Sequence, residues 1–144
     1  GEGKRPTAVR MNEMQLIMQN HAGVFRTKKT LSEGIGKLAS TLESFKDVSV
    51  SDKGMVWNTD LMETFEFENL LGQAMITMQC ALERKETRGA HARDDYPERD
   101  DENWLQHSLG WLNADNTTRI DAKPVKLDTG MNDIESIPLK ARVY

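Results

Sequence analysis

The chain contains a single cysteine, Cys80, in 144 residues. An internal disulfide is therefore excluded, and the usage is compatible with a reducing compartment. No apolar run approaches the roughly 20 residues needed to cross a bilayer, and no secretory leader is visible. Basic residues are not in surplus: 19 Lys and Arg stand against 23 Asp and Glu, for a net charge of −4. The positive charges are scattered, which excludes a general nucleic-acid binder. There is no C-x-x-C pair, and His91 and His107 lack a third ligand at a usual spacing, so no metal motif is present. No G-x-S-x-G elbow offers a nucleophilic serine. The opening Gly1-Glu2-Gly3 lacks a methionine, as expected of a processed product or a piece of something longer.

What is present is helical periodicity. Between Thr7 and Phe25, the residues Met11, Met14, Ile17, Met18, Ala22 and Phe25 share one face at 100° per residue. Pro6 suits the first turn and Gly23 the stop. A second helix is predicted over Leu31–Phe45, with Leu31, Ile35, Leu38, Leu42 and Phe45 forming a narrow seam. Thr30 and Glu33 have capping-box spacing. Gly34 and Gly36 each weaken that helix by about 1 kcal/mol, which close packing would explain. A third helix is predicted from Leu61 to about Arg88, capped by Asp60 and ended by Gly89. Its apolar residues include Leu61, Phe65, Ile76 and Cys80 on one side, with Phe67, Leu70, Leu71, Ala74, Met78 and Leu82 over the rest. A helix apolar nearly all round needs more than one partner surface, so a surface outside this chain is expected. "HSLGWL" and "TTRIDA" around the turn "NADN" predict a short hairpin. Residues 123–144 read as an extended tail laid along another surface. The expected fold is mainly α: a spectrin-repeat-like three-helix bundle with its charged loop over 1–106, then hairpin and tail over 107–144 in the same domain.

Several letter patterns carry little chemistry. "GIGKLA" (Gly34–Ala39) matches a dinucleotide fingerprint, but a helix-starting polar segment precedes it where a strand is required. His21 is read as a packed histidine, the methionines as flexible core filler, and Cys80 as a buried thiol.

The stretch "ETRGAHARDDYPERDDENW", residues 86–104, is different. It gathers Arg88, Arg93, Arg99 and His91 with seven carboxylates. Arg88 and Arg93 could clamp a dicarboxylate, with His91 as proton donor. The acids Asp94, Asp95, Asp100, Asp101 and Glu102 could equally neutralise those arginines, in a docking surface or an internal ion-pair network.

This stretch resembles the C-terminal signature of the flavoprotein subunits of succinate dehydrogenase and fumarate reductase. Thr87, Arg88, Gly89, His91, Asp95, Tyr96, Pro97, Asp100, Asp101, Trp104 and His107 match the family pattern, and Arg93 lies within it. "MQNHAGVFRT" (residues 18–27) and the ending "PLKARVY" match in the family's order. L-aspartate oxidases share the Arg-Gly-x-His part, but the Asp-Asp-Glu-Asn-Trp portion favours the dehydrogenase.

The resemblance implies the C-terminal helical domain of that subunit. It would pack on the flavin-binding and capping domains of its own chain, within a complex holding an iron–sulfur subunit and membrane anchors. That complex would lie on the cytoplasmic or matrix side of the inner membrane. The parent would bind FAD covalently and oxidise succinate to fumarate in the tricarboxylic acid cycle, passing electrons to quinone. The glycine-rich flavin loop, the flavin-linking histidine and the proton-transfer arginine belong to parts outside this sequence. No catalytic, cofactor or metal residue is therefore expected here. Arg88, Gly89, His91, Arg93, Asp95, Asp100, Asp101, Trp104 and His107 are expected as signature and interface residues. The alternatives are a fumarate reductase or L-aspartate oxidase C-terminal domain, or an independent helical interaction module. On this reading Arg88→Ala leaves the isolated bundle almost unchanged and impairs only the full subunit.

Overall fold

A computed structural model describes residues 3–131 and 133–140. In chain order its elements are β1 (Arg5–Pro6), α1 (Thr7–His21), β2 (Phe25–Arg26) and α2 (Lys28–Glu43). A 3₁₀ turn, Ser44–Asp47, leads to β3 (Val48–Ser49) and α3 (Thr59–Glu83). After these come β4 (Ala92–Arg93), α4 (Asp101–Trp104), β5 (Gln106–Leu112) and β6 (Thr118–Pro124). The mainly α expectation holds: α1, α2 and α3 pack on one another, and a hairpin follows.

The core forms where the three apolar faces meet. Leu31, Leu38, Phe67, Leu71 and Met78 are all but sealed from water. Each such side chain contributes about 1.5–3 kcal/mol by leaving water. The rings of Phe45 and Phe67 meet at 5.7 Å, within the range favoured by tilted aromatic pairs. Met14 closes the core from α1, with Met11, Ile17, Met18 and Ala22 half-buried around it. Gly34 earns its place by proximity. A Cβ there would stand 2.5 Å from the His21 Cβ and 2.6 Å from the Met78 sulfur. Gly36 has nothing within 4 Å of its missing Cβ, so close packing does not explain it.

Several predicted boundaries are corrected. Helix α1 ends at His21, not Phe25. Phe25 is 74% exposed in β2 rather than on the core face. The capping box of α2 is Thr27 with Thr30, not Thr30 with Glu33. A second threonine hydroxyl does at the third helical position what glutamate usually does, accepting from the cap N–H. Asn58, not Asp60, caps α3, its Oδ1 accepting from Leu61 N at 2.8 Å. Asp60 instead accepts from the N–H groups of Ser51 and Asp52 and holds the preceding loop. The third helix stops at Glu83, five residues before the predicted Arg88.

Strands β5 and β6 pair antiparallel, from Gln106 opposite Pro124 to Leu112 opposite Thr118. The turn residue Asn116 has φ 63°, a left-handed value asparagine tolerates. The hairpin packs on α3 at Gly110, where a Cβ would fall 2.5 Å from Ile76 Cγ2 and 3.1 Å from Cys80 Sγ. The Ile76–Cys80 side of α3 therefore finds its partner within the chain. Met62, Phe65 and Leu70 remain exposed, as do Met55, Val56 and Trp57 in the loop before α3.

Two short parallel bridges complete the frame. β1 pairs with β3, and β2 pairs with β4, each over two residues. Among the described residues after β6 there is no helix or strand. The residues Ala141–Tyr144 of the family-like ending lie outside the described residues.

Candidate functional site

The 84–104 segment is folded as a hub around one carboxylate. Glu86 is fully buried. Its oxygens accept from Arg84 Nη1, from Arg88 Nε at 2.8 Å and Nη2 at 3.0 Å, and from the Asp100 N–H at 3.0 Å. Burial pushes the Glu86 carboxyl pKa up, but the bonds from Arg88, the Asp100 N–H and Arg84 together outweigh it and leave it below the ordinary value. A helix running to about Arg88 hides Glu86 among its last residues, whereas α3 stops at Glu83. The available signal was an acid with an arginine two residues to either side.

Arg84 ends α3 and turns outward. It donates to the carbonyls of Trp104 and Gln106 and stacks at 5.4 Å from the Trp104 ring. It thereby ties α3 to α4 and to the hairpin. Arg88 continues from Glu86 to Asp101 at 2.6 Å, and Asp101 is shared with Arg99 at 2.9 Å. The Glu86 hydrogen bonds, the largest cause, raise the Arg88 pKa further. Asp100 caps α4 by accepting from Asn103 N.

Arg93 is 2% exposed, and its guanidinium serves two helices. Nη1 donates to the carbonyls of Ala81, Leu82 and Arg84 at 2.9–3.1 Å, satisfying the open end of α3. Nε and Nη2 grip Asp95 bidentately at 2.8 and 2.9 Å. Asp95 in turn accepts from Lys28 N at 2.8 Å, at the start of α2. Arg93 and the Lys28 N–H hold the Asp95 carboxyl down to about 2. One arginine–aspartate pair thus links the carbonyl end of α3 to the amide end of α2, where each charge suits the helix dipole.

Gly89 does not end the helix. It has φ 57° and forms, with Ala90, a two-residue reversal between Arg88 and His91, whose backbones exchange hydrogen bonds of 2.9 and 3.0 Å. A left-handed first turn residue of this kind favours glycine. The reversal turns His91 inward. His91 Nε2–H donates to the Arg84 carbonyl and Nδ1 accepts from Arg26 Nη1, both at 3.2 Å. A guanidinium only donates and a carbonyl only accepts, so the ring is neutral with its proton on Nε2. Burial, then the cations Arg26, Arg93 and Arg84, depress its pKa despite the opposing bond to Arg84.

The structure therefore brings Arg88, Gly89, His91, Arg93, Asp95, Asp100, Asp101 and Trp104 into one assembly. His107, at the start of β5, faces out and lines an adjoining cleft. Arg26, within the upstream family-like stretch of residues 18–27, joins that assembly although nothing in its local sequence marks it as a site residue. The β2–β4 bridge carries it to His91. Arg88 and Arg93 do not form a joint clamp: each is committed to its own carboxylate.

The one nucleotide-like letter pattern does not form a phosphate cradle. The G-x-G-x-x-A letters lie inside α2, with Gly34 filled from both sides by His21 and Met78. No loop between a strand and a helix is there to cradle a phosphate. No cluster of metal-ligating side chains occurs among the described residues, and none of their helices is long and apolar enough to cross a membrane.

Known proteins are similar to this chain in sequence and fold. A family model described as fumarate reductase flavoprotein C-term matches residues 11–144. The mitochondrial succinate dehydrogenase [ubiquinone] flavoprotein subunit of Oryza sativa subsp. japonica is 51% identical over 144 residues, covering 99% of this chain and 22% of that protein. The succinate dehydrogenase flavoprotein subunit of Rickettsia conorii is 45% identical over 132 residues, 92% of this chain and 22% of that one. A mutant E. coli quinol fumarate reductase superposes with a TM-score of 0.84 at 40% identity, over 89% of this chain and 22% of that one. The chain thus spans about a fifth of the length of the relatives it matches. With its ionic hub, its helical frame and these relatives in agreement, the chain belongs to the family of C-terminal domains of succinate dehydrogenase and fumarate reductase flavoprotein subunits.

Proposed function

We infer that this chain is a supporting domain of an FAD-dependent succinate:quinone oxidoreductase, and that it carries no reacting group itself. Residues 1–106 and 107–144 act as one unit that packs on the flavin-binding and capping domains. The parent oxidises succinate to fumarate with a covalently held FAD and passes electrons through an iron–sulfur subunit to quinone at the membrane. The observation that carries this reading is the commitment of the family-signature arginines to structure. Arg88 and Arg93 both spend their charge on internal carboxylates and helix ends, which leaves neither to hold a substrate.

The exposed apolar residues give the docking face. Met62, Phe65 and Leu70 on α3, with Met55, Val56 and Trp57 before it, are between 43% and 95% exposed. Trp57 also has φ 55°, unfavourable for a bulky residue. An apolar surface of this kind marks an interaction site. Mixing the purified chain with FAD and succinate should yield neither bound yellow flavin nor dye reduction. Turnover by the chain alone would overturn the reading.

A further inference from the structure

Between the end of α3, the 84–104 loop and the start of the hairpin lies a cleft of about 500 Å³. Arg26, Arg84, Arg88, His91 and His107 line it, and no aspartate or glutamate does. Two of the three arginines are matched from behind: Arg84 and Arg88 share Glu86, and Arg88 also holds Asp101. Arg26 has no carboxylate partner among the described residues. Its Nε donates to the Gly23 carbonyl at 2.9 Å and its Nη1 to His91 Nδ1 at 3.2 Å, both neutral acceptors. Those two bonds fix the plane of the guanidinium and leave Nη2 free to donate. A half-buried cation held only by neutral groups is costly until an anion meets it.

The neighbourhood says what kind of anion fits. Val24 and Phe25, immediately before Arg26, are 70% and 74% exposed. Phe25 precedes Arg26 on the strand, faces the other way and lines a neighbouring groove with Thr87, Ala92, Arg93 and Pro97. A protein surface that covers both grooves therefore meets a cation and an apolar side chain one residue apart. Such a pairing does not suit a small hydrated ion. Polypeptide of that sort is at hand, since the relatives extend well beyond the 22% matched by this chain.

We propose that the cleft receives the carboxylate of an aspartate or glutamate from the part of the flavoprotein subunit outside these residues, with Arg26 as its partner and Phe25 covered by the same surface in the neighbouring groove. This rests on the reading that the domain packs on the remainder of its subunit. Arg26 is then the docking cation, and His91 is the positioning residue that aims it.

The test uses the full-length subunit carrying R26K and a water-soluble carbodiimide. The reagent joins an amine to a touching carboxylate as an amide and takes up the water released. The expected product links position 26 to an acidic residue outside residues 1–144. Coupling of position 26 only within residues 1–144 would overturn the proposal. So would its failure to couple while native lysines such as Lys29 link to the rest of the subunit, an outcome that leaves the docking reading intact. If no lysine of this chain couples outside it, the docking reading falls as well. As a second measurement, R26Q is expected to raise the rate of proteolytic release of the domain from the subunit about tenfold, the worth of one charge-assisted bond, and R26K to raise it far less. Equal rates for wild type and R26Q would also overturn the proposal.

Discussion

Two arginines separated by four residues do different work. Arg93 answers three carbonyls and one carboxylate from a buried position. Arg93→Met keeps the apolar stem but strands those acceptors, and a loss on the order of 3 kcal/mol in unfolding free energy is expected. The urea midpoint at constant m-value would check it. For Arg88→Ala the sequence-based expectation of an almost unchanged bundle is reversed. Arg88 supplies two of the bonds that make a fully buried Glu86 tolerable, so a cost of about 1.5–3 kcal/mol in the isolated chain is expected by the same assay. The pH response follows from the neighbouring groups. The Asp95 carboxyl titrates at about 2 when folded against 3.8 ordinarily. Its contribution is complete above about pH 4 and lost as the pH falls toward 2, so Asp95→Asn should flatten the acid limb of the stability curve. His91 runs by another route to the same sign. Its folded pKa lies below 6.5, so the unfolded chain takes up the proton first and stability declines as pH drops below 6.5. His91→Gln, which can still donate and accept, should remove that slope.

Among the elements, the two glycines of α2 offer an opposed pair of outcomes. Gly36→Ala adds helix propensity in open space and should stabilise by up to about 1 kcal/mol. Gly34→Ala drives a methyl against His21 Cβ, which is anchored to the α1 backbone. Overpacking of about 1–3 kcal/mol should exceed the propensity gain, and thermal midpoints of the two variants should shift in opposite directions. The helices and the hairpin were legible because periodicity reports which face is buried, and Leu31, Leu38, Leu71 and Met78 obeyed it. The ends were less legible because caps are chosen by neighbours. Thr27 and Asn58 won over Thr30 and Asp60 on local geometry alone. The two-residue bridges were invisible, since each joins segments that only the folded bundle brings together. The ionic character of the candidate site could be read directly from the letters of 86–104. Its centre was marked only by the arginines two residues to either side of Glu86, a signal that gains its meaning once α3 stops at Glu83 and lets the chain turn inward.

Taken whole, the molecule is unevenly finished. One end is tied by the hub, while residues 51–57 all lie exposed in a loop. This contrast separates two segments that secondary structure alone would class together. The hub segment holds Arg84, Lys85, Arg88, Arg93 and Arg99, a dense set of tryptic sites. Yet Thr87 N is tied to Glu98 O, Asp94 N to Arg26 O and Asp100 N to Glu86. A protease must unwind its substrate to cut it. Brief trypsin treatment should therefore nick the chain first at exposed sites outside the hub, after Lys53 and after Lys126 in the tail, and only later between 84 and 99, as mass spectrometry of the fragments would show. The richest supply of cleavage sites would then be the last to be used: charge that marks a segment as vulnerable in the sequence is what armours it in the fold.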